Sequence, residues 1–187
     1  MTGGAAARVP RVKICCISSV REAAVAIAHG ASALGLVSDM PSGPGVVSDA
    51  LIAEIIATVP PPIGTFLLTS ARAAEAIIAQ QVRMRPTTLQ LVDHLSADVH
   101  LALRDALPGI TLVQVVHVED EDSVDYALRA APSVDALLLD SGRRKAPVKT
   151  FPMRAWPRSS AVVPCLRNHE SWASTECTTR CNARSAT

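Results

Sequence analysis

Two stretches near the N-terminus decide how the fold is read: Val12-Lys13-Ile14-Cys15-Cys16-Ile17-Ser18-Ser19-Val20-Arg21-Glu22 and Gly30-Ala31-Ser32-Ala33-Leu34-Gly35-Leu36-Val37. Residues 12–15 form a β-branched and apolar run that reads as a strand. Ser19 and Glu22 stand at the spacing of a capping box, in which two side chains satisfy the free N–H groups of a helix start. The spacing predicts a helix from there to His29, with Gly30 free to take the left-handed position just past its end. Residues 33–37 are then a second strand. The unit is strand, helix, strand, with no tight hairpin turn between the strands.

Working outward, the unit repeats. Ser48 precedes an apolar helix over 49–58 that Pro60-Pro61-Pro62 stops. Strands follow at 64–68, 88–91, 110–116 and 134–139, and helices at 71–83, 98–107 and 122–131. Pro108-Gly109 closes the helix at 98–107. The strands are continuous apolar runs without alternation, as expected where both faces of a parallel sheet are covered. This is an α/β chain, and its alternation leaves two closures open: a (β/α)8 barrel or an open doubly wound sheet. No Gly-x-Gly-x-x-Gly follows the first strand, which weighs against a dinucleotide-binding open sheet. Either closure places ligand chemistry at the carboxyl ends of the strands.

The bulk numbers narrow the class. With 187 residues the chain is long enough for one cored domain, and with 3% aromatic residues that core must be built from small aliphatics. A formal charge of +1 gives no reason to expect a nucleic-acid or anionic-membrane partner. The N-terminus shows no apolar signal region, and the apolar stretch 23–37 is interrupted by His29, Gly30 and Ser32. The expectation is a cytoplasmic protein with reduced thiols. Composition breaks near residue 150. The segment from Phe151 holds both tryptophans, three of the five cysteines and five arginines, but no Asp or Lys. The division expected is a partial barrel over 1–149 and an atypical low-order tail over 150–187. A shifted reading frame would produce so abrupt a change.

Chemistry is sought at the strand ends. Cys15 and Cys16 stand at the end of the first strand beside a helix N-terminus, a place that favours a thiolate base or nucleophile, although cysteine is also a common core residue. On a regular strand the two would point opposite ways. Asp140 directly follows the strand Ala136-Leu137-Leu138-Leu139 and reads as a general acid or base, or as a loop cap. Ser42-Gly43-Pro44-Gly45 is a flexible loop without the lysine of a phosphate-binding loop. Asp93 and His94 after the fourth strand, and His117 and Glu119 after the fifth, occupy comparable positions without the spacing of a metal site. Cys165, His169, Cys177 and Cys181 have the residue types of a zinc site but not its usual short pairs.

Taken in order, these motifs resemble the phosphoribosylanthranilate isomerase family. Lys13-Ile14-Cys15-Cys16-Ile17-Ser18 resembles its Lys-Ile-Cys-Gly-Ile-Thr opening. Gly30 to Val37 resembles its Gly-Ala-Asp-Ala-Leu-Gly-Phe-Val strand, Leu89-Gln90-Leu91 its Val-Gln-Leu, and Leu137-Leu138-Leu139-Asp140 its Leu-Leu-Asp. The resemblance spans about residues 11–149 and implies a parallel (β/α)8 barrel of TIM type, incomplete here with about six strands. It also implies an Amadori aldose–ketose isomerisation of N-(5-phosphoribosyl)anthranilate in tryptophan biosynthesis, with no cofactor and no metal. By the same resemblance Cys15 is the base that removes the C2′ proton and Asp140 the acid that protonates the ring oxygen. Lys13, Gly45, Gln90 and Asp93 are then the substrate contacts. The departures are Cys16 for Gly, Gly45 or a neighbour in place of a loop Arg, Val92-Asp93 for His-Gly and Gln114 for Lys. The segments of the last two strands, which hold the substrate phosphate in the family, are not found. The expectation is a weak or inactive chain that self-associates through open sheet edges. The alternatives are a non-catalytic remnant that binds a complementary barrel fragment, and an enzyme of the same fold with an altered substrate.

Overall fold

The computed structural model describes residues 11–41, 44–140 and 161–164. Six parallel strands alternate with five helices: β1 (Lys13–Ile14), α1 (Val20–Ala28), β2 (Ala33–Val37), α2 (Asp49–Thr58), β3 (Gly64–Thr69), α3 (Ala74–Met84), β4 (Thr88–Leu91), α4 (Ala97–Ala106), β5 (Thr111–His117), α5 (Asp122–Ala130) and β6 (Ala136–Asp140). A short 3-10 turn, Ala131–Ser133, joins α5 to β6.

Local chemistry explains the element ends. The Ser19 hydroxyl accepts from the Glu22 N–H at 3.1 Å, and Ser48 does the same for Leu51 at 3.3 Å. The capping box of α1 is only half formed, because the Glu22 carboxylate turns back to the N–H and hydroxyl of Ser18, at 2.7 and 2.8 Å, instead of to Ser19. Those two bonds hold the Glu22 carboxyl below its ordinary pKa. Gly30 takes the left-handed conformation, φ 88°, that ends α1. Helix α3 starts three residues later than its sequence pattern predicts. Ala73 offers no side-chain cap, and the Ala71 N–H is taken by the Thr69 hydroxyl at 3.1 Å.

The sheet order is sequential, β1-β2-β3-β4-β5-β6, every neighbouring pair being parallel. A doubly wound sheet would reverse its order at a switch point, so the observed order removes that closure and leaves the barrel wall. The two faces of the wall are unequal. Leu34, Leu36, Leu67, Leu89 and Leu112 point outward and are buried with Ile52, Ile55, Ile77 and Leu103 of the helices. The opposite face carries a smaller cluster of strand residues alone, Val113, Val115, Ala136 and Leu138, against Phe66. Each fully buried Leu or Ile contributes about 1.5–3 kcal/mol, so the outer layer supplies most of the hydrophobic stability.

The sheet continues past β6. Ala161–Pro164 forms β7, antiparallel to β6 with Leu139 opposite Ala161. The sequence pattern assigns no strand there, yet Val162 and Val163 are β-branched and suit an edge. The β6 edge, expected to be open, is therefore paired. At the other end β1 has no outer partner among the described residues, and Val12, Ile14 and Val25 stay 45%, 40% and 52% exposed. Apart from β7 the atypical tail, with Cys165, His169, Cys177 and Cys181, lies outside the described residues, as do Ser42 and Gly43.

Candidate active site

The carboxyl ends of the six parallel strands face one way, and the side chains of interest gather there. Alternation along the strands sends Lys13, Phe66, Gln90, Val113, Val115, Ala136 and Leu138 to the inner face. The Lys13 ammonium donates to Gln90 Oε1, joining residues 77 apart in sequence, and lies 4.6 Å over the Phe66 ring. Burial lowers the Lys13 pKa, and the nearby Cys15 and Cys16 thiols oppose that. Two residues expected to contact substrate are thus held to each other below the strand ends.

Cys15 is exposed and Cys16 partly so, and neither is in a disulfide. A methyl group on Gly35 would come within 2.7 Å of Cys15 Sγ, so the thiol rests directly over the backbone of β2. Regular alternation does not extend to Cys16. Its φ is 62°, the left-handed region that glycine favours, which turns the chain from β1 into α1. The Cys16 thiol bonds to the Pro44 carbonyl at 3.6 Å and is pushed above its ordinary pKa, by burial first and by Cys15 next. Gly45, φ 79°, packs its backbone against Cys16.

Asp140 ends β6 opposite His117, the last residue of β5, and the Val118 N–H bonds to its carbonyl at 2.7 Å. His117 Nδ1 stands 3.7 Å from Asp140 Oδ2, and Nε2–H donates to the Val92 carbonyl at 3.1 Å. Asp93 pairs with Arg72 at 3.1 Å. His94 stacks on Tyr126 with 3.8 Å between ring centres, and burial lowers its pKa, with His117 adding to the effect. Gln114, which replaces a lysine in the sequence comparison, faces outward and is buried. Its two amide N–H groups are shared among the carbonyls of Leu91, Asp93 and Val115, and its oxygen accepts from His100 Nε2 at 2.9 Å. It shapes the turn after β4 and does not face the lumen.

The structure therefore joins Lys13 to Gln90, Gly45 to Cys16, Asp93 to Arg72 and Asp140 to His117. Cys15 directly follows β1 and Asp140 ends β6, at the two ends of the parallel run. Arg72 and Phe66 were not singled out from sequence. Arg72's position just after β3 was the available signal, whereas Phe66 lies within an ordinary apolar run. Among the described residues no group of three or more potential ligands is placed to hold a metal ion, and no helix is long and apolar enough to cross a membrane. A thiol and a carboxyl thus stand at the strand ends, at the two ends of the parallel run, with the Lys13 ammonium near the thiol.

No family model matches the chain. Among curated proteins it is similar to the N-(5'-phosphoribosyl)anthranilate isomerase of Haloferax volcanii, 30% identical over 157 residues, which are 83% of this chain and 69% of that one. The enzyme of the same name from Thermosynechococcus vestitus is 32% identical over 131 residues, 70% of this chain and 56% of its own. This chain spans little more than half the length of that relative. Among solved structures it resembles a phosphoribosyl anthranilate isomerase in complex with reduced 1-(o-carboxyphenylamino)-1-deoxyribulose 5-phosphate, with a TM-score of 0.62, 23% identity and coverage of 71% of this chain and 65% of that one. That likeness shows the (β/α)8 fold.

Proposed function

This chain belongs to the N-(5'-phosphoribosyl)anthranilate isomerase family, and from that membership we propose that its strand-end mouth serves the Amadori isomerisation of N-(5-phosphoribosyl)anthranilate to the aminoketose in tryptophan biosynthesis, in the cytoplasm. The observation that carries this reading is the pairing of roles with places. Cys15 lies with its thiol over Gly35 at the end of β1, and Asp140 lies at the end of β6. In the reaction Asp140 gives its proton to the ring oxygen, the C1′–oxygen bond breaks toward that oxygen, and the nitrogen lone pair forms the C=N bond. The Cys15 thiolate then takes the C2′ proton, the C2′–H electron pair forms the C1′=C2′ bond, the C=N pair returns to nitrogen, and the enolamine so formed tautomerises to the aminoketose. No cofactor is required. Lys13, Gln90, Gly45 and Asp93 line the approach to this chemistry. The ligand of the solved relative, a phosphorylated carboxyphenylamino sugar, supports a substrate of that class.

The chain by itself is a weak or inactive catalyst in this proposal, because the loops that hold the phosphate in the family belong to the closing strands. Turnover of the synthetic substrate, followed in vitro, is the test. A rate at or above about 1 s⁻¹, ordinary for enzymes, overturns the weak-catalyst proposal. Any measurable rate should fall at least about 100-fold in Cys15→Ser and in Asp140→Asn. Retention of the rate in both variants overturns the site assignment.

A second reading is favoured by one observation: Val12, Ile14 and Val25 form an exposed apolar strip at the unpaired β1 edge. In a closed barrel that strip is covered. A non-catalytic remnant would use it to receive a complementary barrel fragment, or a second copy of this chain. Size-exclusion chromatography, alone and with the C-terminal third of a relative, separates these outcomes. A monomer that binds no fragment sinks the second reading.

A further inference from the structure

We infer that His117 is a positioning residue for Asp140, holding its carboxyl at the mouth and placing the proton that the carboxyl delivers. The inference rests on the isomerase reading and deepens it.

The backbone fixes the pair first. His117 and Asp140 are register partners at the ends of two neighbouring parallel strands, and the Val118 N–H closes the ladder on the Asp140 carbonyl at 2.7 Å. Two-residue alternation continues from Val113 and Val115 to His117, and from Ala136 and Leu138 to Asp140, so both side chains belong to the inner face. The ring is then fixed by its far nitrogen. The partner of Nε2, 3.1 Å away, is the carbonyl of Val92, which can only accept, so Nε2 carries a hydrogen. In the neutral ring Nδ1 is consequently a bare lone pair. It is buried and has no hydrogen-bond partner among the described residues, and Asp140 Oδ2 stands 3.7 Å away.

A buried acceptor left without a donor is costly, and a proton shared with the Asp140 carboxyl, once the 3.7 Å gap between Oδ2 and Nδ1 shortens to hydrogen-bond length, would satisfy it. Sharing that proton holds Oδ2 toward the ring until the substrate's ring oxygen takes the proton. Other groups surround the pair without competing for this contact. Asp93 is paired with Arg72, the His94 ring lies 6.2 Å from the His117 ring and stacks on Tyr126, and Glu119 follows β5. When the carboxyl proton passes to the substrate's ring oxygen and the C1′–oxygen bond breaks toward it, Asp140 is left as a carboxylate beside the Nε2–H ring. The proton that solvent returns enters between Oδ2 and Nδ1.

Two measurements test this. In ¹⁵N-histidine-labelled full-length chain followed from acid to alkaline pH, neutral His117 should show the Nε2–H tautomer, and Asp140→Asn, whose amide N–H can donate to Nδ1 at every pH, should move the Nδ1 resonance while leaving that of His29 in place. An Nδ1–H tautomer, or an unmoved Nδ1 resonance, overturns the inference whether or not the chain turns over. Given measurable turnover, His117→Gln, whose amide reaches the Val92 carbonyl but lacks Nδ1, should lower kcat about 10-fold to 100-fold with KM little changed. His117→Asn, which puts an amide in the place of Nδ1, should recover part of that loss. An unchanged kcat in His117→Gln overturns the positioning role, and loss of activity in Cys15→Ser at the same time leaves the isomerase reading standing.

Discussion

The backbone of Gly45 packs against the Cα and side chain of Cys16 at the mouth: a methyl group added to Gly45 would lie 2.5 Å from Cys16 Cβ and 3.0 Å from its Cα. Both residues have positive φ, 62° and 79°. Cys16 is the strained partner, since a left-handed conformation costs a non-glycine residue about 1–2 kcal/mol. Cys16→Gly should therefore stabilise the chain by about 1 kcal/mol, raising Tm by about 2–4 °C. Gly45→Ala should destabilise it by about 1–3 kcal/mol, because contact and φ both oppose the new Cβ. Thermal unfolding of the two variants checks both signs, and a lower Tm for Cys16→Gly would sink the strain argument.

Lys13 and Gln90 offer a second measurable relationship. The ammonium is partly buried, faces the Phe66 ring and donates to the Gln90 amide oxygen. A hydrogen bond to a charged group contributes about 1.5–3 kcal/mol, so a double-mutant cycle of Lys13→Met and Gln90→Leu should show a coupling of that size. Gln90→Leu alone should be the more damaging single change, since it leaves a desolvated ammonium without its acceptor. Additive effects would mean that the two side chains do not support each other in solution.

These two relationships show where sequence reading reaches and where it stops. The bounds of β2, α2 and β4 agree with the sequence pattern, because each is an apolar run bracketed by a serine, glycine or proline whose local chemistry is decisive. The order of βα units, the Ser48 cap and the Gly30 terminus were legible for the same reason. The Lys13–Gln90 bond was not, since no local pattern links positions 77 apart. Cys16 misled in a different way. Alternation along a strand predicts opposed thiols, but the strand ends at Ile14 and the left-handed turn begins two residues later. Residues 71–73 look helical by composition and are not: the Ala71 N–H is held by the Thr69 hydroxyl in a local turn and the helix starts only at Ala74. Of the site, the positions of Cys15 and Asp140 at strand ends were readable. The partner of Asp140 depended on the register of β5 against β6, which only the folded sheet supplies.

Gln114 is expected to be structural. It is fully buried, its two amide N–H groups are shared among three carbonyls, and its oxygen accepts from the His100 ring. Gln114→Leu should cost about 2–4 kcal/mol, since it strands buried acceptors and one imidazole donor together. Urea unfolding measures the loss. A change below about 1 kcal/mol, the usual net value of one hydrogen bond, would show that the turn after β4 is held by other contacts.

Acid sensitivity should begin with histidine. Burial lowers the pKa of His100, and burial followed by His117 lowers that of His94, each from an ordinary value of 6.5. A histidine whose folded value is depressed stays neutral in the native state while the unfolded chain takes up a proton. Its contribution to stability is therefore fully present above about pH 6.5 and is lost as pH falls through the lower folded value. Arg104 near His100, and Arg72 and His117 near His94, act in the same direction, whereas Asp93 and Glu119 partly offset the effect at His94. Glu22, held below its ordinary 4.5, adds a loss only at lower pH, so the two windows separate. The urea midpoint should decline between pH 7 and pH 5.5, before carboxylates titrate. His100→Gln keeps an N–H for Gln114 but removes the titration, and should flatten that decline. A wild-type midpoint that is level across this interval, or an unchanged slope in His100→Gln, would show that these buried rings do not set the acid limit of the fold.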